Sequence, residues 1–141
     1  MHKVIVSSYF SAGHFLSDEP IHGHNYGIRV ILKSELENGM VEDFRIIQRH
    51  LDDFCKTLDH YLLIPGQNKE VKIDNVNKQL HVKAWERTYV LPASDVVILP
   101  VENTTAELLA KYAHAKLKEK MRKVVSVQID ESPNCTGEYS E

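Results

Sequence analysis

Residues 13–32 read GHFLSDEPIHGHNYGIRVIL, and this stretch combines a strand pattern with a cluster of histidines. From His24 to Leu32 every second residue falls on one side of an extended chain, and this side carries Tyr26, Ile28 and Val30. Such alternation is typical of a long β-strand with one buried face. The sequence therefore predicts a strand that begins at the histidines and continues along a hydrophobic core.

The histidines at the start of this strand have the spacing of metal ligands. Residues two apart in a strand point to the same face, so the imidazoles of His22 and His24 can bind one ion, with only Gly23 between them. His14 lies across a short loop and can supply a third ligand. Three neutral imidazoles with one open position are typical of a catalytic zinc site, although they also accept iron or another divalent metal. The alternative is a polar strand entry beside an unrelated His14.

Composition narrows the class of protein. The 141 residues are 43% hydrophobic and 26% charged, which is typical of one globular domain. The net charge of −3 provides no basic surface for nucleic acid, and no apolar run is long enough to span a membrane. The N-terminal residues are typical of a strand rather than a signal peptide. Cys55 and Cys135 stand in separate contexts, which favours a reducing cytoplasm without a disulfide framework.

Strand and helix patterns alternate along the rest of the chain. We expect a strand at residues 3–11, a helix from 41 to about 60, a strand at 96–100, a helix from about 104 and a last strand at 125–131. Residues 67–94 are less regular and predict a β-rich insertion within a single domain, 1–141. This order predicts an α+β fold, in which two helices pack on one face of an antiparallel sheet whose open edges can pair with other subunits. The inward positions of the helices would be Phe44, Ile47, Leu51, Phe54 and Leu58, then Leu108, Leu109, Tyr112, Ala113 and Leu117.

Two acidic or proton-carrying positions have both a functional and a structural interpretation. Glu19 precedes His22 by three residues and can serve as a general acid or base beside a metal, or it is a solvated loop acid next to Asp18. Asp59 and His60 close the first predicted helix. His60 there either stabilises the helix C-terminus or is a proton carrier oriented by Asp59.

Two further glutamates allow similar alternatives. Glu107 follows Thr104 by three residues, which fits a capping box at the start of the second helix. Glu131 closes the last strand on the face of Val127 and Ile129. A carboxylate on a mostly buried face needs a partner, such as a ligand with adjacent N–H groups, unless the strand ends there and the charge reaches solvent.

Together these residues resemble a known family. The matching segments, in chain order, are FSAGH (10–14), HGHNY (22–26), GMVEDF (39–44), LDH (58–60), NTTAE (103–107) and VQIDE (127–131). They resemble the 6-pyruvoyl-tetrahydropterin synthase family, which includes the 6-carboxy-tetrahydropterin synthases of the queuosine pathway. The segments extend over nearly the whole chain.

The resemblance implies a fold and a metal centre. It implies the tunnelling fold, in which sheets of three subunits form a β-barrel and two trimers form a hexamer, with active sites between subunits. It also implies one zinc ion per subunit, bound by His14, His22 and His24. Glu131 would anchor the pterin substrate through its ring N–H and amino groups.

The resemblance also assigns residues around the substrate. Thr104, Thr105 and Glu107 match positions that frame the pterin in the family. Asp59 and His60 match its proton-relay pair, in which His60 acts as acid and base and Asp59 orients it. For Glu107 this role is compatible with helix capping.

One departure from the family concerns the catalytic base. The family usually has a cysteine in the loop before HGH, whereas residues 15–21 contain none, and Glu19 stands in the pattern Glu-x-x-His-Gly-His. This resembles a subgroup in which glutamate replaces the cysteine and the product is 6-hydroxymethyl-7,8-dihydropterin, a precursor of folate or related carriers. We therefore expect a retro-aldol cleavage of 7,8-dihydroneopterin or its phosphate.

Two alternatives remain open on the sequence. The same enzyme can instead make 6-pyruvoyl- or 6-carboxy-tetrahydropterin from the triphosphate, with Glu19 or Asp18 as a weaker base. The chain can also be a zinc-holding pterin-binding protein without turnover, although the Asp59-His60 pair favours catalysis. Lys83 and Arg87 of the insertion are candidates for contact with a phosphate, but the sequence gives them no position.

Overall fold

The computed structural model describes residues 1–141 and contains nine strands, two α-helices and a short 3₁₀ helix at Ala93–Asp95. In chain order they are β1 (His2–Leu16), β2 (Glu19–Ser34), α1 (Phe44–Lys56), β3 (Tyr61–Pro65), β4 (Val71–Val76), β5 (Gln79–Ala84), β6 (Arg87–Pro92), β7 (Val96–Leu99), α2 (Ala106–Lys120), β8 (Val124–Ser132) and β9 (Cys135–Ser140). Neither helix is long and apolar enough to cross a membrane. The strands form two separate sheets.

The hairpin of β1 and β2 is the largest unit of the fold. The two strands pair antiparallel from His2 opposite Ser34 to Leu16 opposite Glu19. Because successive side chains alternate, Tyr26, Ile28, Val30 and Leu32 of β2 point into the core and are fully buried. The prediction of a long strand with one buried face is therefore confirmed.

Six strands form the main sheet in the order β7-β3-β1-β2-β8-β9. The pairs around β2, β8 and β9 are antiparallel, as predicted, whereas β3 pairs in parallel with β1 and with β7. The sequence pattern did not indicate β3 or β9. β3 has only five residues, and β9 contains Gly137 and polar residues that weaken its strand pattern.

Both helices pack on the same face of this sheet, which confirms the predicted α+β arrangement. Ile47, Leu51 and Phe54 of α1 and Leu109, Ala113 and Leu117 of α2 join one core with the even-numbered residues of the hairpin. Three predicted inward positions differ. Phe44 is 59% exposed because it lies at the first residue of α1, beyond the packed turns, while Leu108 and Tyr112 are half-buried at the edge of the contact.

The chain between β3 and β7 forms the second sheet, an antiparallel meander of β4, β5 and β6. It lies within residues 67–94, where the sequence indicated a β-rich insertion. Its inner face packs on Phe15 and Leu62 of the main sheet in a small core of its own. The insertion is therefore held against the end of the β1–β2 hairpin.

Candidate metal centre

Three histidine side chains converge at the turn end of the β1–β2 hairpin. His14 lies directly opposite His22 in the register, and His24 lies opposite Ala12, so all three side chains project from the core-facing side of the sheet. The Nε2 atom of His14 lies 3.1 Å from Nε2 of His22 and 3.2 Å from Nε2 of His24. Tetrahedral coordination with Zn–N bonds of about 2.0–2.1 Å would separate two ligand nitrogens by about 3.3 Å. The spacing therefore fits a metal site.

The opposite ring nitrogens explain why these Nε2 atoms are available. Nδ1–H of His14 donates to the carbonyl of Thr104 at 2.8 Å, and Nδ1–H of His22 donates to the carbonyl of Pro20 at 2.8 Å. A carbonyl oxygen only accepts, so each of these neutral rings keeps a lone pair on Nε2. Burial lowers the pKa of His14, which favours the neutral form that binds metals. Two nitrogen lone pairs that face each other at about 3 Å repel, and a metal cation bound between them removes this repulsion.

Two carboxylates approach this cluster from different sides. Oε2 of Glu19, at the first residue of β2, lies 3.3 Å from Nε2 of His22. Oε1 of Glu131, near the end of β8, lies 3.6 Å from Nε2 of His14 and 3.8 Å from Nε2 of His24. The side chains of Glu19 and Glu131 are 51% and 32% exposed, so both can reach a ligand from solvent. The structure thus places both predicted glutamates beside the histidines.

The loop before α2 closes the cluster from the helix side. Thr104 is fully buried, and its hydroxyl donates to the carbonyl of Phe15 at 3.3 Å. The capping box predicted between Thr104 and Glu107 is wrong, because Thr105 is the N-cap and accepts the N–H of Leu108 at 3.3 Å. The N-cap lies one residue later than predicted, because the hydroxyl of Thr104 is hydrogen-bonded to Phe15 and cannot cap the helix. Glu107 is exposed in the first turn of α2, where its negative charge interacts favourably with the helix dipole.

Asp59 and His60 form a pair that is anchored to β1. The carboxylate of Asp59 accepts the N–H of Ser11 at 2.8 Å, and the N–H of His60 donates to the carbonyl of Ser11 at 2.6 Å. Nδ1 of His60 lies 2.9 Å from Oδ2 of Asp59. The Ser11 N–H and then His60 hold the pKa of Asp59 below its usual value. The first helix was predicted to end at Asp59 and His60, but α1 ends at Lys56. His60 therefore does not stabilise a helix C-terminus.

This pair faces the other side of the sheet from the histidine cluster. His60 lines a pocket with seven residues of the hairpin, of which five are odd-numbered positions and two, Ala12 and His24, are even-numbered: Ser11, Ala12, Gly13, Ile21, Gly23, His24 and Asn25. Odd and even positions of a strand point to opposite faces. Within one chain the structure therefore brings Glu19, Glu131 and Thr104 to the histidines, whereas the His60 side chain pairs with Asp59 and forms no hydrogen bond or ion pair with the cluster.

Neither cysteine reaches the cluster. Cys55 is buried in α1 among core residues, and burial raises the pKa of its thiol to about 11. Cys135 is exposed at the first residue of β9, opposite Ser132. A thiol that stays protonated and a thiol outside the hairpin turn are both unsuited to act as a base at the histidines.

Tyr26 had no functional signal in the sequence, and Arg87 was a candidate contact for a phosphate whose position the sequence could not give. Tyr26 is fully buried, with ring centroids 6.0 Å from His14 and 5.3 Å from His24, and its hydroxyl has no hydrogen-bond partner. Burial and the nearby Glu131 raise its pKa. Arg87 of the insertion donates from Nη1 to the carbonyl of Ser17, in the hairpin turn, at 3.4 Å. Tyr26 had the pattern of an ordinary core residue, and Arg87 depended on where the insertion docks.

Comparison with known proteins gives concordant matches. A family model described as 6-pyruvoyl tetrahydropterin synthase matches residues 3–141. A Methanocaldococcus jannaschii protein provisionally named 6-carboxy-5,6,7,8-tetrahydropterin synthase is 34% identical over 119 residues, covering 80% of this chain and 73% of that protein. The dihydroneopterin monophosphate aldolase of Pyrococcus furiosus is 31% identical over 61 residues, covering 41% of this chain and 54% of the aldolase.

Among solved structures, 6-pyruvoyltetrahydropterin synthase from Plasmodium vivax superposes with a TM-score of 0.91 at 26% identity, covering 99% of this chain and 97% of that chain. A variant of the same Plasmodium protein, described as a catalytic-residue mutant, has a glutamate replaced by alanine and superposes equally well. These chains share the arrangement of strands and helices described above.

Proposed function

Since the chain belongs to the 6-pyruvoyl tetrahydropterin synthase family, we propose that it is a zinc-dependent lyase that cleaves the side chain of 7,8-dihydroneopterin or its phosphate. The products are 6-hydroxymethyl-7,8-dihydropterin and a two-carbon aldehyde. The observation that carries this proposal is the carboxylate of Glu19, 3.3 Å from Nε2 of His22, where the family usually has a thiol. The proposal depends on the ability of a carboxylate at that position to remove a proton from a hydroxyl group of the substrate side chain.

The Nε2 atoms of His14, His22 and His24 would hold the metal, and this set of three imidazoles fits zinc. When bound, zinc acts as a Lewis acid that lowers the pKa of hydroxyl groups on the substrate side chain. The carbonyls of Thr104 and Pro20 fix the tautomers of two of the rings. One ion per subunit follows from one cluster per chain.

Glu131 holds the pterin ring in this proposal. A carboxylate accepts the adjacent ring N–H and amino N–H of a pterin in a bidentate manner. Its carboxylate lies 3.6 Å from Nε2 of His14, and a pterin bound there would direct its side chain toward the histidines. Thr104, Thr105 and Glu107 frame the same end of the site from the start of α2.

The carboxylate of Glu19 removes the proton from the hydroxyl on the second side-chain carbon. The bond between the first and second carbons then breaks, the second carbon leaves as an aldehyde, and the electron pair moves into the ring C=N bond. A proton delivered to the first carbon uses this electron pair to form a C–H bond and completes the hydroxymethyl group. Formation of a pyruvoyl group instead requires removal of a proton from the first carbon, a step for which a thiolate is suited.

His60 and Asp59 relay protons for this reaction from a neighbouring subunit. In one chain they face the opposite side of the sheet from the histidines, and His60 is 80% exposed. An assembly that places this face against the open side of another subunit's site supplies the missing acid and base. This supports a trimeric barrel and a hexamer, in which active sites lie between subunits.

The similarity to a dihydroneopterin monophosphate aldolase, and to a Plasmodium enzyme with a catalytic glutamate, supports the assignment of Glu19. A second candidate is 6-carboxy-tetrahydropterin synthesis, because the Methanocaldococcus protein has a provisional name of that kind and matches more of the chain. The absence of a thiol at the histidines favours carbon–carbon cleavage over this candidate. A pterin-binding protein without turnover has no use for the Asp59–His60 pair.

Identification of the product tests the proposal. The zinc-loaded protein is incubated anaerobically with dihydroneopterin, its monophosphate and its triphosphate, and products are identified by mass spectrometry. We expect hydroxymethyl-dihydropterin and a two-carbon aldehyde, and we expect Glu19→Ala to abolish both. Asp18→Ala, which removes the neighbouring exposed acid, should retain activity. A pyruvoyl or carboxy product, or an unchanged rate in Glu19→Ala, would contradict the proposal.

A further inference from the structure

Glu131, the proposed pterin anchor, lies where the pairing of β8 is interrupted on both sides. The pairing of β8 with β2 ends at Asp130, opposite Gly27. On the other side, β9 pairs with Asp130 and Ser132, and a register shift between them leaves Glu131 without a partner. A bulge of this kind re-aims a side chain and interrupts the ladder of hydrogen bonds. Strand pairing alone therefore does not fix the direction of the Glu131 carboxylate.

The residue before this bulge is tied to both neighbouring strands. On the face of the sheet opposite the histidines, Arg29 of β2 donates from Nη1 to Oδ2 of Asp130 at 2.8 Å and from Nη2 to Oδ1 at 2.7 Å. The hydroxyl of Thr136, in β9, donates to Oδ1 at 2.5 Å. The Arg29 guanidinium, and then Thr136, holds the pKa of Asp130 below its usual value, so the carboxylate is ionised at neutral pH. One side chain thus joins β2, β8 and β9 directly beside Glu131.

The surroundings of this ion pair keep it in one geometry. Nε of Arg29 donates to the side-chain oxygen of Gln128 at 2.8 Å, so the guanidinium forms three hydrogen bonds within the network. Gly27 leaves room for the carboxylate, because a Cβ atom there would lie 2.8 Å from Oδ2 of Asp130. The side chains of Arg29 and Asp130 are only 32% and 19% exposed. A bidentate, partly buried pair of this kind is held more firmly than an exposed surface ion pair.

We propose that Arg29, Asp130 and Thr136 are positioning residues, which hold the bulge of β8 so that the carboxylate of Glu131 faces the pterin. This inference rests on the proposed function, because it takes Glu131 as the pterin anchor from it. A carboxylate binds two adjacent N–H groups only in a narrow range of orientations. Since successive side chains of a strand point to opposite faces, a fixed Asp130 on one face sets the direction of the next residue on the other. The anchor is thus controlled from the face of the sheet that carries no metal ligand.

Equilibrium binding separates positioning from simple structural support. Neopterin is titrated by fluorescence into the zinc-loaded wild type, Asp130→Ala, Arg29→Lys, Glu131→Gln and Ser126→Ala, at a temperature where circular dichroism shows each to be folded. The same titration uses the lumazine analogue of neopterin, in which an oxygen replaces the 2-amino group and one of the two N–H contacts is lost. Ser126 is the matched control, since its hydroxyl donates from the same face of β8 to Glu138 of β9, about 13 Å along the strand from Asp130.

The largest change among the positioning variants is expected in Asp130→Ala. It should weaken neopterin binding at least about 10-fold, because a two-point contact depends steeply on geometry. Its preference for neopterin over the lumazine analogue should fall by a similar factor, while its metal content stays that of the wild type. Arg29→Lys keeps the charge but loses the planar fork, so its effect should be intermediate. Ser126→Ala should bind both ligands within about 2-fold of the wild type, as expected of a distant site.

The reference variant Glu131→Gln distinguishes failure of this inference from failure of the proposed function. If Glu131→Gln loses neopterin binding while Asp130→Ala binds as the wild type does, the positioning role is wrong and Glu131 stays the anchor. Equal weakening of both ligands in Asp130→Ala, or a loss of its metal, would overturn the inference as well, because either result shows a general disruption of the site. If Glu131→Gln binds neopterin as tightly as the wild type, the assignment of Glu131 as anchor fails, and the inference fails with it.

Discussion

The two faces of the β1–β2 hairpin carry two sets of candidate catalytic side chains. The two sets differ in how deeply they are buried and in how firmly the rest of the chain holds them. On the core face, His14 is fully buried, and its ring is fixed by the carbonyl of Thr104. On the other face, His60 is 80% exposed and is held only through Asp59 and the backbone of Ser11. The first set is preorganised by packing, whereas the second is presented outward. The difference is the one expected if the metal centre is complete within one subunit and the relay serves a neighbouring subunit, as proposed above.

The largest effect is expected from a change on the core face. His24→Ala removes one of three ligands, so we expect metal content to fall from about one ion per subunit to nearly none. The loss in kcat/KM should exceed the 10–100-fold typical of outer-shell changes, at about 1000-fold or more. Elemental analysis and steady-state kinetics measure both. His81→Ala, at an exposed position of the insertion, is the control. Retention of metal by His24→Ala would show that the core-face cluster is not the binding site.

A smaller loss is expected on the exposed face. His60→Ala removes a proton carrier, so kcat should fall by about 100-fold, at the lower end of what a positioned acid or base contributes. Metal content should remain that of the wild type, because His60 faces away from the ligands. Elemental analysis and kinetics on the same sample separate the two faces. If metal content fell as well, the two sets would not be independent.

The packing that preorganises the core face can be tested at Gly137. A Cβ atom there would lie 2.8 Å from the backbone nitrogen of Glu107 and 2.9 Å from the carbonyl carbon of Ala106. Gly137→Ala must therefore displace the start of α2, at a cost of about 1–3 kcal/mol in the free energy of unfolding. The Thr104 carbonyl should move with it, so zinc affinity should fall also. Denaturant unfolding and metal titration measure these effects, and Ser140→Ala in the same strand is the control. An unchanged stability would mean that the contact is not tight.

The smallest effect concerns the pH dependence of stability. The folded-state pKa of Asp59 lies below its usual value because the carboxylate accepts the Ser11 N–H and contacts His60. A lowered folded pKa contributes stability that is present above the unfolded pKa, about 3.9, and is lost as pH falls through the folded value. Asp59→Asn should therefore reduce the loss of stability below about pH 4. Thermal unfolding between pH 3 and 7 measures this, and parallel wild-type and variant curves would contradict it.

The core-face set was largely predictable from the sequence. The spacing of His22 and His24 depends only on strand alternation, and the register places His14 opposite His22 as the short intervening loop suggested. The family resemblance pointed to Thr104 and Glu131, and the structure places both near the cluster. Their roles toward a substrate stay predictions.

The other face depended on features that no local pattern records. His60 has a left-handed backbone with φ of 66°, and it is joined to β1 through Ser11 just before the parallel strand β3. Parallel pairing is a long-range event, and β3 is too short to signal it. The position of Arg87 likewise depends on how the insertion docks on Phe15. Local propensity could not specify either contact.

Subunit complementation tests most directly whether a site is shared between chains. His24→Ala, which lacks the metal centre, and His60→Ala, which lacks the relay, are co-expressed with different tags and purified as mixed oligomers. If each site combines the core face of one subunit with the exposed face of another, about one quarter of the sites in a random mixture contain both intact sets. We therefore predict that the mixture recovers about a quarter of wild-type activity, although each variant alone is nearly inactive. Mixed oligomers that remain as inactive as the separate variants would contradict a shared site.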